Sequence, residues 1–401
     1  MYPDTNHTNE AIPSKTHVEF FAGIGGVTAG LNSWSTIWAN DIDKMKSEYY
    51  AKNHGDHIIC EDINKLSPSD VPESSLVSAT YPCTNTSCAG DRTGLMGIQS
   101  GVVYKWVSLV RSKGGASCYP FGMLENPTGL ISRGNGKDLR SLVMTINDMG
   151  YSVVLTVVCA SHFVPQSRPR IFINCIKKSI AHANLKAINS AADIPKCNKL
   201  YPKPLRNWMA KNVDLDMCSI GTPALPTRTV QLEDLIDFNA ESSDWASQEL
   251  TEELVANLTG VQRERFDKLV RSPAICVASV ARRGRKRADG TSYNATEIST
   301  SGLAPAQRPY KGGSSRCWVL VAGKGSYRFK CVSPRESARL MGFDDSFTLP
   351  ENVKQAYQCT GDSVVPQAVA WVEKHVFAPL LAKTLPVNDE PIKQLELDLA
   401  C

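Results

Sequence analysis

The 401-residue sequence has no two cysteines spaced as CxxC, no apolar run long enough to cross a membrane, and no internal repeat. Each absence excludes something. Thirteen cysteines without a CxxC give little support to a structural zinc site. An odd number of them in a long chain does not read as the disulfide framework of a small secreted domain. Reduced thiols in a reducing compartment fit better. Without long apolar runs a helical membrane protein is excluded. The opening residues, MYPDTNHTNEAIPSKTH, lack the basic start and apolar centre of a signal peptide, so a cytoplasmic site is expected. Charge of one sign is also scarce, since a net charge of +4 is too small to establish a nucleic-acid partner by itself. What is present is ordinary: 42% hydrophobic and 21% charged residues describe a globular chain. Its length allows one large α/β domain, or a large and a small one.

Along the chain, HVEFFAGIGGVTAGLNSW reads as a strand, a glycine-rich turn and a helix, and STIWANDID followed by KMKSEYYAKNHG repeats strand then helix. SSLVSATYPC, GVVYKWVSLVRS, CYPFGMLENP, DLRSLVMTINDMGY, SVVLTVVCA and RPRIFINCIKK continue the alternation, which predicts a doubly wound sheet up to about residue 178. From about Ser179 to Lys330 the rhythm breaks into proline-bearing, polar and basic stretches, which predicts a separate, irregular small domain. Order returns at CVSPRESARLMGF, where Ser333, Pro334 and Glu336 have the spacing of a capping box, and a last helix follows TGDS.

Several positions could carry chemistry. Gly23, Gly25 and Gly26 lie where backbone turns sharply after a strand, as in a nucleotide-type cofactor site or a plain tight turn. Asp41 ends the next strand, where it either accepts from ribose hydroxyls or caps a helix. Asp62 is either an adenine acceptor or a turn residue. Cys83 follows Pro82 at the carboxyl end of a strand, the edge at which open α/β sheets place their chemistry, although most cytosolic cysteines are inert and buried. Glu125, in MLENPTGL, is a salt-bridge or capping partner, or a carboxyl held protonated by burial. Arg168 and Arg170 alternate at the entrance to a strand. The run Arg282, Arg283, Gly284, Arg285, Lys286, Arg287 reads as a solvated loop or as a phosphate contact.

Taken in order, FAGIGG, the acidic strand ends, PCTNTS, ENP, QSRPR, SPRESARLMGF and GDSVVPQ resemble the motifs of the DNA (cytosine-5) methyltransferase family. The likeness runs over roughly Val18 to Ile176 and from Cys331 to the last helix. It implies a Rossmann-like class I S-adenosylmethionine-dependent methyltransferase fold with a smaller irregular target-recognition domain. The division would be a flexible arm at 1–16, a catalytic and cofactor-binding domain at 17–178, the small domain at 179–330, a returning segment at 331–383 and a polar tail at 384–401. By the resemblance, S-adenosyl-L-methionine is surrounded by Phe21, Gly23, Gly25, Gly26, Ile42 and Ser363, with Asp41 at its ribose and Asp62 and Ile63 at its adenine. Cys83 adds to C6 of a flipped cytosine. Glu125 donates to N3, Arg170 meets O2, and Arg168 supports the carboxylate or a backbone phosphate. Ser87, Arg282, Arg283, Arg285, Lys286 and Arg287 would contact DNA. No metal is implied.

The partner implied is duplex DNA in a bacterial or phage setting of restriction-modification, host protection or regulation, with a cognate restriction enzyme as a further partner in the first of these. The protein itself would be a monomer in the cytoplasm, associated with the nucleoid. A tRNA cytosine-5 methyltransferase and a catalytically silent DNA-binding relative are the alternatives. An NAD-dependent oxidoreductase would want a GxGxxG that the turn at Gly23 lacks. The sequence departs from the family pattern twice. PCTNTS replaces the commoner glutamine after the cysteine and the aromatic residue before the serine. Asp362 stands where asparagine is frequent, so a second negative charge near the cofactor carboxylate would weaken binding unless water or a cation intervenes.

Overall fold

The computed structural model describes residues 15–82, 98–239, 244–287, 289–309 and 316–384. Most of the expected N-terminal arm and C-terminal tail lie outside these residues. Strand β1 (Thr16–Phe20), helix α1 (Gly26–Gly30), β2 (Ser35–Asp41), α2 (Lys44–His54), β3 (Ile58–Cys60), β4 (Leu76–Ala79), α3 (Ile98–Lys113), β5 (Phe121–Pro127), α4 (Lys137–Asp148) and β6 (Tyr151–Cys159) follow the alternation of the sequence. A short β7 (Gln166–Ser167) precedes β8 (Pro169–Lys177). In the nine-stranded sheet the order is β3-β2-β1-β4-β5-β8-β6 and then two further strands. The pairs among β1 to β5 are parallel, and β8 runs antiparallel between β5 and β6.

The central strands read as continuous apolar runs because helices cover both faces. β4 is buried at every residue and β6 at all but its last. α4 turns Leu139, Leu142, Val143 and Ile146 into that core, at the i, i+3, i+4, i+7 spacing of an amphipathic helix. α2 starts at Asp43, whose side chain accepts from the Lys46 amide, and stops at Gly55, whose φ of 105° few other residues adopt.

The large sheet does not end at residue 178. After α5 (Lys178–Asn184), β9 (Lys186–Ala187) and β10 (Met217–Ser219) complete it, with β10 parallel to β6 and α6 (Lys203–Ala210) packed nearby. Leu200, Tyr201, Leu205, Met209 and Met217 are buried in the same core as Phe121 and Val154. The boundary read from the sequence therefore falls about forty residues early. Strands of two and three residues are too short to show a period of two.

The smaller unit is also more regular than its sequence suggests. β11 (Cys276–Lys286), β12 (Ser292–Ser299), β14 (Trp318–Gly323) and β15 (Ser326–Cys331) form an antiparallel sheet in the order β12-β11-β14-β15. Two helices, α7 (Gln248–Ala256) and α8 (Val261–Val270), contribute Leu254 and Phe266 to a core with Val280, Ile298, Leu320 and Phe329. β13 (Ala304–Pro305) pairs in parallel with β7 and ties this unit back to the edge of the site.

The chain returns through α9 (Pro334–Leu340), whose capping box joins Ser333 and Glu336 as the sequence spacing indicates. Glu336 does more than cap. Both its oxygens lie 2.7 Å from the fully buried Lys330 ammonium, and one accepts from the Asp237 amide, so one carboxylate ties the end of β15 and the segment at Asp237 to the start of α9. α10 (Val353–Asp362), α11 (Pro366–Val372) and α12 (Ala378–Thr384) close the large sheet, with α11 against α1. A Cβ on Gly30 would stand 2.5 Å from the Pro366 carbonyl, so only glycine admits this approach.

Candidate active site

The carboxyl ends of parallel β3, β2, β1 and β4 lie side by side at one edge of the sheet. The strand order reverses between β1 and β4, the place where an open α/β sheet has its ligand crevice. At its floor Phe21 takes a left-handed backbone conformation with φ of 56°, a strained state for an aromatic residue. The bend is held by the Ala22 amide donating to the Asn40 carbonyl and by the Thr80 hydroxyl donating to the Phe21 carbonyl. Gly23, also left-handed, has no atom within 4 Å of where a Cβ would stand, so the space over it is open. Gly26 is different. A Cβ there would lie 2.5 Å from the Ser363 hydroxyl, so the loop after α10 presses against the start of α1.

Asp41 is buried at the end of β2. One of its oxygens accepts from the Gly23 amide at 2.8 Å and the other from the Asp43 amide at 2.9 Å. It does not cap α2, which Asp43 does. Burial raises its carboxyl above the ordinary value, while the Lys46 ammonium and the two amides oppose the shift. Beside it, Ile42 is 66% exposed, an apolar face left open at the crevice wall. Asp62 accepts from the Asn64 amide and starts a single helical turn, and Ile63 is buried beneath it.

A second group sits at the end of β5. Glu125 is buried, with the Arg170 Nε at 2.9 Å from one of its oxygens. Burial raises its carboxyl, and the Arg170 and Arg168 charges pull the other way without cancelling the shift. Asn126 donates to the Tyr81 carbonyl at 3.4 Å, bracing the chain two residues before Cys83. No spacing within ENP marks this role of Asn126 in the sequence.

Arg168 corrects an expectation. Its guanidinium is only 4% exposed and donates to the carbonyls of Gln307, Gly361 and Ser363 at 2.8, 3.1 and 2.7 Å. It joins the large sheet, the end of the smaller unit and the loop after α10. A side chain so buried does not meet a backbone phosphate, whereas its charge does act on the Glu125 carboxyl, the other role expected of it. Arg170, on the neighbouring strand position but paired with Glu125, remains partly accessible.

Two features had no sequence signal. Beneath the crevice, polar side chains connect inside the fold: His17 contacts Ser78 and Thr36, and Thr28 contacts Thr36, Tyr50 and Glu19. Burial pushes Glu19 up to about 8 and His17 down to about 3, so both are uncharged at neutral pH. At the crevice mouth, the Lys46 ammonium donates to Asp362 at 2.7 Å. The cation that the Asp362 departure called for is thus supplied by α2, 316 residues away in sequence.

Cys83 and Ser87 lie outside the described residues. Among those described, no group of three or more His, Cys, Asp or Glu side chains could hold a metal. The basic run is not a loop, since Arg282 to Lys286 form the end of β11. Arg282 pairs with Glu253, Arg283 and Arg285 share Glu297 at 2.7 Å each, and Arg287 lies over the Tyr293 ring at 4.3 Å. Lys286 is exposed.

Comparison with known proteins bears on this geometry. A family model described as C-5 cytosine-specific DNA methylase matches residues 16–378. The chain is similar to the type II methyltransferase M.NlaX of Neisseria lactamica, 25% identical over 91% of this chain and 97% of that one. It is also similar to the type II methyltransferase M.HhaI of Haemophilus parahaemolyticus, 24% identical over 90% and 94% of the two chains. Among solved structures, the S. pombe Dnmt2 methyltransferase superposes with a TM-score of 0.53 at 16% identity, covering 91% of this chain and 99% of its own. The Entamoeba histolytica methyltransferase EhMeth gives 0.54 at 15% identity, with 92% and 99% covered. At such identities the structural likenesses show the fold.

Proposed function

The chain belongs to the C-5 cytosine-specific DNA methylase family, and from that premise we propose that it methylates C5 of cytosine in duplex DNA, with S-adenosyl-L-methionine as methyl donor and Cys83 as nucleophile. The residues at the crevice fit such a cofactor. The space over Gly23 is open, Ile42 offers an exposed apolar face, and Asp41 has one amide on each oxygen, leaving lone pairs for ribose hydroxyls. Asp62 and Ile63 would border the adenine and Phe21, Gly25, Gly26 and Ser363 the rest. When bound, S-adenosylmethionine supplies an electrophilic methyl group.

The observation that carries the proposal is Glu125, buried, biased towards its protonated form and flanked by the Arg170 guanidinium. C5 of cytosine is a weak nucleophile until something adds at C6. A thiolate from Cys83 would do so, pushing charge onto N3 and O2. A protonated Glu125 can donate to N3 and accept from the exocyclic amine, and Arg170 can donate to O2. Loss of the C5 proton and departure of the Cys83 sulfur restore the ring. None of this is possible within a stacked duplex, so the base must be flipped out, at a cost of a few kcal/mol.

The smaller unit, with Lys286 and the arginines of β11, would contact the DNA that offsets this cost, together with Ser87 near the nucleophile. The bacterial relatives named as type II methyltransferases favour a restriction-modification setting, in which a cognate restriction enzyme reads the same sequence. No helix among the described residues is long and apolar enough to cross a membrane.

Duplex DNA carrying 5-fluorocytosine tests the proposal, because fluorine blocks the final elimination and leaves the sulfur bonded to C6. With S-adenosylmethionine present, a denaturation-resistant protein–DNA adduct is expected from the unsubstituted chain and none from Cys83→Ala. An equal adduct from both proteins, or methyl incorporation into tRNA but not into DNA, overturns it.

A further inference from the structure

The ion pair between Lys46 and Asp362 joins α2 to the last residue of α10. Asp362 does not stand alone, since Gln358, one turn earlier, donates to the same oxygen at 2.6 Å. Burial works against the charge on Lys46, but the Asp362 carboxylate, with smaller contributions from the Asp41 and Asp43 charges, holds its proton on more firmly. The Cys359 thiol, also on α10, contacts the Met45 sulfur and fills the space between the two helices. The residue after Asp362, Ser363, presses on Gly26 and gives its carbonyl to Arg168. The pair therefore sits where the loop after α10 closes on the glycine turn.

One carboxylate, Asp362, pairs directly with the ammonium, and two more, Asp41 and Asp43, lie in the same part of the fold, each with a different relation to the crevice. Asp41 is the acceptor facing the open space over Gly23. Asp43 is committed to capping α2. Asp362 occupies a position where an uncharged amide would impose no repulsion. Removing the ammonium would leave Asp362 without its ion pair and take away the Lys46 charge that opposes the upward shift of Asp41. Asp41 would then take up a proton more readily and lose acceptor capacity, and Asp362 would repel any carboxylate-bearing ligand.

We propose that Lys46 is a positioning residue for the methyl donor: it neutralises Asp362 beside the glycine turn and so makes the crevice of this chain competent for an amino-acid-bearing nucleoside. The proposal rests on the reading of the crevice as the S-adenosylmethionine site. It also accounts for the departure at residue 362, because a lysine on α2 and an aspartate on α10 replace what one neutral side chain would do.

The test is a two-residue cycle on the full chain, with S-adenosylmethionine binding read by calorimetry and folding read by thermal unfolding without ligand. Lys46→Met is expected to weaken binding by about tenfold or more, the size of one lost charge contact in a partly buried site. In the Asp362→Asn background the same replacement should cost only about threefold, since the repulsion has gone. Lys46→Arg should stay within about threefold of the unsubstituted chain. Lys46→Gln serves if the methionine variant fails to fold. Unchanged binding in folded Lys46→Met, or an equal loss in both backgrounds, overturns the inference and leaves the functional reading intact. No binding by the unsubstituted chain overturns that reading and the inference together.

Discussion

Replacing Arg168 by methionine separates architecture from chemistry within the arginine pair. The side chain is 4% exposed and its guanidinium reaches three carbonyls, on Gln307, Gly361 and Ser363, all within 3.1 Å. Methionine refills much of the volume but donates nothing, leaving three buried acceptors short of a charged donor. Bonds to charged donors contribute about 1.5–3 kcal/mol each, and they are not additive when they share one group. Leaving buried neutral acceptors unsatisfied costs about 1–3 kcal/mol each, so the replacement should cost about 3 kcal/mol after non-additivity. Arg170→Met should cost far less, about 1 kcal/mol, because Glu125 can answer the loss by taking a proton rather than by remaining a buried anion. Urea unfolding of the two variants beside the parent measures the difference as shifts in midpoint at unchanged slope. If Arg168→Met costs under about 1 kcal/mol, or less than Arg170→Met, its three bonds do not hold the units together and the reasoning fails.

Two other perturbations follow from the same geometry. Glu125→Ala should lower the rate of methyl transfer by about 10²–10⁴-fold while leaving DNA retention intact, and a rate within tenfold of the parent, measured in single turnover, would remove Glu125 from the chemistry. Glu19, pushed up by burial from 4.5 to about 8, keeps its proton in the fold but loses it on unfolding anywhere between those values. Its contribution to stability is therefore complete below about pH 4.5 and declines as pH rises through about 8. Glu19→Gln should flatten that decline in a series of unfolding curves, and an unaltered slope would show that Glu19 is charged in the fold. His17 acts in the opposite sense: pushed down to about 3, it withdraws stability as pH falls from 6.5.

The sequence was most legible where a local rule and the global fold agree. The glycine turn follows β1 because strand, bend and helix each have a signature within a few residues, and the Ser333–Glu336 box shows itself through spacing alone. Asp41 was legible in place but ambiguous in role, since a carboxylate at a strand end can cap, bind or do both; the Gly23 and Asp43 amides give it a fixed orientation. What could not be read depends on contacts between distant segments. β9 and β10 join the large sheet through pairings that their two and three residues cannot advertise. The arginine-rich end of β11 looks like a loop in sequence because its partners, Glu253 and Glu297, lie elsewhere in the chain. Arg168 and Arg170 are two residues apart and of one type, yet one is spent on backbone carbonyls and the other on Glu125. No periodicity distinguishes them.

The central claim, cytosine C5 methylation of DNA through Cys83, is tested most directly by bisulfite sequencing of DNA from cells that express the chain or its Cys83→Ala variant. The account predicts protected cytosines at one recurring sequence with the unsubstituted protein and none with the variant. Unprotected DNA in cells that accumulate the folded protein, or the same protection with Cys83→Ala, would contradict it.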